Sequence, residues 1–219
     1  MIVDVKSTGI ITVPKAVIKR LPMYHRFLQQ LLEEGEERIS SRELSQLMGI
    51  TSSQLRQDLS YFGEFGQQGY GYKVKTLFEE ISIILGLENT YGAVLIGAGN
   101  MGRAIVNYKG FSRRGLEIVG IFDNNPEIVG THLNDLVIMD VGQLEEFLKN
   151  HSVQVGIITT PAKAAQEIAN ILIHGGVLGI WNFAPVMLAA TKQVIIEDIH
   201  VGDSLMTLFF KLKKAEFIK

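Results

Sequence analysis

The sequence predicts an α/β chain in two parts, a small helical domain over residues 1–85 followed by a parallel-sheet domain over 86–219. Three observations carry that reading. Two short helical patterns, each with its own start and stop signals, stand back to back between residues 41 and 63. Beyond residue 85, short apolar runs alternate with helical patterns, and the first of those runs ends in GAGNMG. With 47% hydrophobic and 20% charged residues in a chain of 219, there is apolar material for two cores, since domains cluster near about 100 to 150 residues.

In residues 14–34, Val17, Ile18, Leu21, Tyr24, Leu28, Leu31 and Leu32 recur at spacings of three and four, an amphipathic helical pattern that Pro22 is expected to kink or divide. Ser41 opens the next helix, with Glu43 near its positive end, Leu44, Leu47 and Met48 on one side, and Gly49 as its stop. ITSSQLRQDLSYFG follows as a second short helix, capped by Thr51 or Ser52, facing Leu55, Leu59 and Phe62 inward and ending at Gly63. This is a helix-turn-helix. EFGQQGYGYKV, with glycines 66, 69 and 71 between aromatics, reads as two short strands joined by a turn, hence a wing, and KVKTLFEEISIILGL closes the domain as another helix.

A helix-turn-helix sets its second helix in the DNA major groove, which nominates Ser52, Ser53, Arg56 and Gln57 for base edges. Gln67, Gln68 and Tyr70 of the wing are placed to reach the minor groove, and Lys6, Lys15, Lys19, Arg20 and Arg42 to meet phosphates. Net charge is only -2, so DNA contact must be local, and the acidic cluster Glu33, Glu34, Glu36 and Glu37 must face away from the duplex.

The second half offers AVLIGAG, LEIVGIFD, VIMDV, VQVGIITT, VLGIWNFA and VIIEDI, runs suited to strands buried on both faces of a Rossmann-type parallel sheet. GAGNMG follows the first run and opens a helix. Gly97 then makes the tight turn, Gly99 lets backbone approach a pyrophosphate, and Gly102 lets helix and sheet pack closely, with Ala98, Asn100 and Met101 completing the loop. The next run ends at Asp123, at the distance of about 20 residues where an acid bonds the adenosine ribose, with Asn124 and Asn125 beside it. A carboxylate there favours NADH or NAD+ over a 2′-phosphorylated cofactor, since like charges about 4 Å apart cost about 4 kcal/mol at an effective dielectric of about 20. Thr159, Thr160 and Pro161 leave one later strand, and Asn182, Phe183 and Ala184 leave another, toward the edge where such sheets bind ligands.

There are no cysteines, which excludes disulfides and thiol chemistry, so any redox signal must arrive on a bound ligand. The N-terminus lacks signal-peptide features and no run approaches about 18 apolar residues, so a cytoplasmic location with no membrane contact is expected. His25, His132, His151, His174 and His200 are scattered, which speaks against the rival reading of an NAD-dependent dehydrogenase. A regulator reading coenzyme A or another nucleotide is the other alternative.

The chain resembles the redox-sensing transcriptional repressor family Rex over nearly its whole length, in VPKAVIKRLPMYHRFL, RQDLSYFGEFGQQGYGY, GAGNMGRAIVNYKGF, TTPAKAAQ and NFAPV. The resemblance implies a homodimer whose winged helices bind a palindromic operator in double-stranded DNA and release it when NADH binds, so that the NADH/NAD+ ratio sets transcription. It implies that the C-terminal helix, SLMTLFFKL here, is exchanged between subunits; left bare, Leu205, Leu208, Phe209 and Leu212 would form a sizeable apolar patch. It also implies a switch in which Tyr108, itself near the nicotinamide, and Arg26 take part. The family's acidic partner falls at His200, a departure that introduces a protonatable side chain, with Asp203 nearby. Gln57 and Gln68 stand where the family usually carries basic residues, which implies lower operator affinity or an altered operator preference.

Overall fold

Pro22 does not divide the first long helix. In the computed structural model, which describes residues 2–3, 11–63, 65–66, 70–189 and 194–216, α1 runs unbroken over Lys15–Glu33. Proline forfeits one helical hydrogen bond and crowds a carbonyl, a cost of about 3 kcal/mol. Here Val17 and Leu21 before it and Tyr24, Leu28 and Leu31 after it are buried in one core, and that packing holds the helix through the fault.

By contact the chain divides into two compact units, Met1–Asn89 and Thr90–Lys219. In the first, β1 (Ile2–Val3) pairs antiparallel with β2 (Ile11–Thr12) ahead of α1. After β3 (Arg38–Ile39) come α2 (Ser41–Leu47) and α3 (Ser52–Ser60). Ser40 and Glu43 form a reciprocal capping box on α2, Thr51 caps α3, and Gly49 between them adopts a positive φ of 66°. Leu44 and Met48 turn inward as expected, but Leu47 is 53% exposed. Of the expected wing, the second strand is seen. β4 (Tyr72–Lys73) pairs antiparallel with β3, while the first expected wing strand falls on a stretch of which residues 64 and 67–69 lie outside the described residues. The pairing is allowed by Gly71, where a side chain would run into the Ile39 carbonyl, so the chain can lie directly against β3. α4 (Val74–Ile84) closes the unit by packing Leu77 and Ile81 into the α1 core.

The second unit is a seven-stranded sheet built from β5 (Tyr91–Ile96), β6 (Leu116–Asp123), β7 (His132–Leu133), β8 (Leu136–Asp140), β9 (Val155–Ile158), β10 (Gly179–Asn182) and β11 (Ile195–Asp198). Their order is β11-β10-β9-β5-β6-β8-β7, all pairs parallel except the β7–β8 hairpin, which turns through Asn134 at φ 54°. Omitting that edge hairpin strand, the six parallel strands follow the doubly wound order 3-2-1-4-5-6. α5 (Asn100–Asn107), α6 (Leu144–Asn150) and α7 (Ala162–His174) cross between strands. The apolar cores on the two faces centre on Val94, Ile158 and Leu172, and on Leu95, Ile121 and Ile157. The order in which successive parallel strands are added reverses between β5 and β9, and the strand ends there are in step: Gly97 donates to Phe122, Thr159 to Ile96, and Phe183 to Ile158, each through backbone. One edge of the sheet thus collects the ends of four strands.

Among the described residues α8 (Val201–Glu216) finds no cover: Leu205, Leu208, Phe209 and Leu212 remain 49–57% exposed.

Candidate functional site

At the switch point between β5 and β9 lies a cavity of about 780 Å³, within the range of about 300 to 1,000 Å³ usual for ligand sites. The three glycines divide the work there by what surrounds them. Gly97 sits at φ +104°, and a Cβ would stand 2.9 Å from the Thr159 carbonyl. A Cβ on Gly102 would collide with the Gly97 carbonyl oxygen, so this glycine lets helix meet strand. Gly99 is different: it lines the cavity, and a Cβ there would meet nothing within 4 Å. Its missing side chain therefore opens space for a ligand and answers no packing demand of the fold.

No side chain caps α5 or α7, whose first turns carry partial positive charge suited to phosphate. Asn100 and Met101 are exposed in the first turn of α5. The Asp123 carboxylate lines the cavity, fixed by accepting the Ala98 N–H at 2.6 Å and the Asn125 N–H at 2.9 Å. Each oxygen keeps acceptor capacity for a ribose hydroxyl. Ile128, Val141, Ile168 and Ile171 also line the cavity, giving an apolar berth suited to a base, with the amides of Asn124 and Asn125 beside it. On the β9 and β10 side stand Thr159, Thr160, Pro161, Phe183 and Pro185. The Thr159 hydroxyl lies 2.6 Å from the Gly97 carbonyl, so its proton braces the glycine loop. Thr160 differs. Its Oγ1 is buried without a hydrogen-bond partner among the described residues, a cost of about 1 to 3 kcal/mol that a bound polar group would relieve. Orphan hydroxyl, anchored carboxylate and open glycine together fit a dinucleotide.

Two residues nominated from the sequence stand behind this wall. Asn182 is fully buried, donates to Val186 and Asp198, and accepts from the Ala184 N–H, so its amide braces the turn after β10; Ala184 is buried beside it. Tyr108 lies outside the cavity lining, 53% exposed at the end of α5. Arg103, absent from the sequence reading, folds back to donate to the Ala98 carbonyl at 3.0 Å.

In the first unit, α3 turns Leu55, Asp58 and Leu59 inward and leaves Ser53, Arg56, Gln57 and Ser60 exposed on one face. Ser52 is partly enclosed, its Oγ 2.9 Å from Ser45 Oγ between the two helices. The Arg56 guanidinium rests on Ser41 at 3.0 Å. Lys15 and Lys19, one turn apart on α1, and Arg42 are exposed, as is Tyr70. Lys6, Gln67 and Gln68 lie outside the described residues.

Arg20, expected from the sequence to meet phosphate, is engaged within its own unit. It holds Asp58 with two bonds, Nε at 2.6 Å and Nη2 at 2.8 Å, and the buried Tyr24 hydroxyl donates to the same carboxylate. A guanidinium so paired anchors α3 to α1, with its charge already balanced by Asp58. Burial first, then the Asp58 carboxylate, pushes the Tyr24 phenol above its ordinary value; burial does the same to Tyr72 against the opposing Arg56 charge. Both tyrosines therefore keep protons in the folded unit at a pH where the unfolded chain loses them. Their contribution to stability is complete below the unfolded value of about 10 and drains away as pH rises above it. Urea titrations between pH 8 and 11 should show this alkaline loss, and Tyr24→Phe should flatten it.

Comparison with known proteins adds names to this geometry. Residues 12–60 match the family model "Putative DNA-binding protein N-terminus", and residues 88–186 match "CoA binding domain". The redox-sensing transcriptional repressor Rex of Clostridium botulinum (strain Eklund 17B / Type B) is 52% identical over 197 residues, 90% of this chain and 94% of that protein. This chain belongs to the Rex family of redox-sensing transcriptional repressors. The Rex of Clostridium beijerinckii is similar at 51% over 201 residues, 92% of this chain and 95% of that protein. Among solved structures, the Rex-family repressor RSP in complex with β-NADH superposes with a TM-score of 0.89 at 44% identity, covering 95% of this chain and 98% of its own. RSP in complex with β-NAD+ and operator DNA gives 0.88 at 47%, covering 95% and 96%. Of the Rex switch residues implied by resemblance, Arg26 is exposed on the first unit, and Tyr108 and His200 are exposed on the second.

Proposed function

We propose that this Rex-family chain binds operator DNA as a homodimer through its first unit and lets go when NADH occupies the switch-point cavity. The observation that carries the proposal is the pairing of that cavity with an exposed α3 face in one chain, matching over 95% of its length a repressor solved both with β-NADH and with β-NAD+ and operator DNA. The site residues follow from the chemistry of the walls. The first-turn N–H groups of α5 and the opening at Gly99 receive the pyrophosphate, Asp123 the adenosine ribose, and Ile128, Val141 and Ile168 the adenine. The second nucleotide half then lies over β9 and β10, where Thr160 offers its hydroxyl and Phe183 its ring. When bound, NADH differs from NAD+ by one hydride and the positive charge of the oxidised ring, and that difference must be felt unequally by two states of the dimer.

The bare face of α8 supports exchange with a second copy, since apolar side chains of this size need cover. Ser53, Arg56, Gln57, Lys15 and Lys19 supply the DNA contacts, and the glutamine at 57 supports a weaker or shifted operator preference. We read the chain as a regulator without turnover, acting in the cytoplasm; among the described residues no helix is long and apolar enough to cross a membrane.

A second reading arises because the second-unit family model is described by coenzyme A binding. Coenzyme A carries a phosphate on its adenosine ribose, which the Asp123 carboxylate would repel. Melting shifts with NADH, NAD+, NADPH and coenzyme A separate the two: NADH should raise Tm most, and a larger rise with coenzyme A would favour the other reading. The function itself is tested by titrating a Rex-type operator fragment at fixed salt with NADH or NAD+ present. NADH should weaken binding at least tenfold relative to NAD+; equal affinities would refute it.

A further inference from the structure

A run of aromatic rings leads from the cavity wall to the exposed Tyr108. Among the described residues Phe183 is the one aromatic side chain lining the cavity. Trp181 lies two residues earlier on β10, hence on the same face of the sheet, and meets Phe183 at 4.7 Å between ring centroids with planes inclined by 60°. Phe111, from the loop after α5, stands edge-on to Trp181 at 5.1 Å and 89°, and edge-on to Tyr108 at 4.7 Å and 70°. All three spacings fall in the range of about 4.5 to 7 Å in which edge-to-face pairs attract.

The far end of this run is seated with care. A Cβ on Gly110 would collide with the Tyr108 ring, so the glycine lets that ring lie on the backbone. The loop beneath is tied by Arg114, donating to the Gly110 carbonyl at 2.7 Å, and by the Phe111 N–H on the Tyr108 carbonyl at 3.1 Å. The Tyr108 hydroxyl itself bonds to none of the described residues, so its ring orientation is decided by Phe111 and Gly110.

We propose that Trp181 and Phe111 are positioning residues that make the orientation of Tyr108 depend on what presses against Phe183. Packed rings have few alternative arrangements, so a planar group arriving at the β10 end of the cavity shifts Phe183 and Trp181, and Phe111 must follow. This rests on the dinucleotide reading above, with its second ring over β9 and β10. Neither residue touches the ligand.

The test uses the full-length chain carrying Trp181→Leu, with Trp181→Phe as the conservative control. Three quantities are read: NADH affinity by calorimetry, operator affinity with and without NADH, and the 19F resonance of fluorotyrosine at position 108. In the wild type NADH should move that resonance and weaken operator binding. In Trp181→Leu, NADH and nucleotide-free operator affinities should each stay within about threefold of wild type, while the NADH effect on operator binding shrinks at least tenfold and the resonance no longer moves. Trp181→Phe should restore most of both. Trp181→Leu retaining the full NADH effect overturns the proposal. So does a loss of NADH affinity that matches the loss of effect, because Trp181 would then merely shape the cavity. A wild type that binds NADH but keeps its grip on DNA defeats the underlying functional reading instead, and a resonance that still moves there in a Trp181-dependent way keeps the ring coupling standing.

Discussion

Asp58→Ala should destabilise the N-terminal unit by about 3 to 5 kcal/mol, most of the net stability of a small domain. Asp58 is 3% exposed and receives two bonds from Arg20 and one from Tyr24. Removing it leaves a half-enclosed guanidinium and a fully buried phenol with no acceptor, and it unties α3 from α1. The loss should sit at the low end, because Arg20 retains 25% side-chain exposure and can swing toward water. Urea unfolding of the full-length chain, followed by far-UV circular dichroism, reads this as an early transition lost or shifted. Asp58→Asn, which keeps an acceptor for Tyr24, should cost less. A loss below about 1 kcal/mol would mean the pair is solvated and Arg20 is free to serve as the phosphate contact its sequence position suggests. The salt dependence of operator binding gives an independent reading: an Arg20→Met variant that still folds should keep the wild-type slope, whereas a lost phosphate contact would lower it by about one.

Gly99→Leu should abolish nucleotide binding while leaving the fold intact. The contrast among the three glycines makes this sharp. Alanine at Gly102 must collide with backbone, and at Gly97 it would face both a strained φ and the Thr159 carbonyl, so either change should damage the unit itself. At Gly99 a side chain meets open space, which is the space assigned to the pyrophosphate. NADH affinity should fall by about 100-fold or more, equivalent to about 2.7 kcal/mol, with Tm of the free protein lowered only slightly by the poorer helix cap. The expected phenotype is a repressor that holds its operator at any NADH/NAD+ ratio. Undiminished NADH affinity in this variant would place the pyrophosphate elsewhere.

What could be read ahead of the structure had local causes. The apolar runs and the glycine loop announce themselves because tight turn, close approach and helix start all act within a few residues, and the six sequence-identified strands appear where expected. The place of Asp123 at the end of β6, beside the cavity, was legible by its spacing. What escaped depends on pairs distant in the chain. Arg20 and Asp58 are 38 residues apart, and a lone arginine on an amphipathic helix reads as a surface charge until its partner is seen. The wing strand's partner, β3, lies before the helix-turn-helix, and two-residue strands carry no periodicity to detect. Pro22 misleads because the local penalty is visible while the core that outweighs it is not. The cavity's apolar walls come from α7 and from the turns after β6 and β8, generic residues that only the sheet order brings to one edge.

If one molecule joins nucleotide to operator, linkage requires the coupling to be reciprocal: the factor by which NADH weakens operator binding must equal the factor by which operator weakens NADH binding. Calorimetric titration of NADH into the free protein and into its operator complex, at the same salt, measures this directly. The account predicts NADH affinity at least tenfold lower in the complex, matching the factor found from DNA titration. Equal NADH affinity for free and operator-bound protein would contradict it.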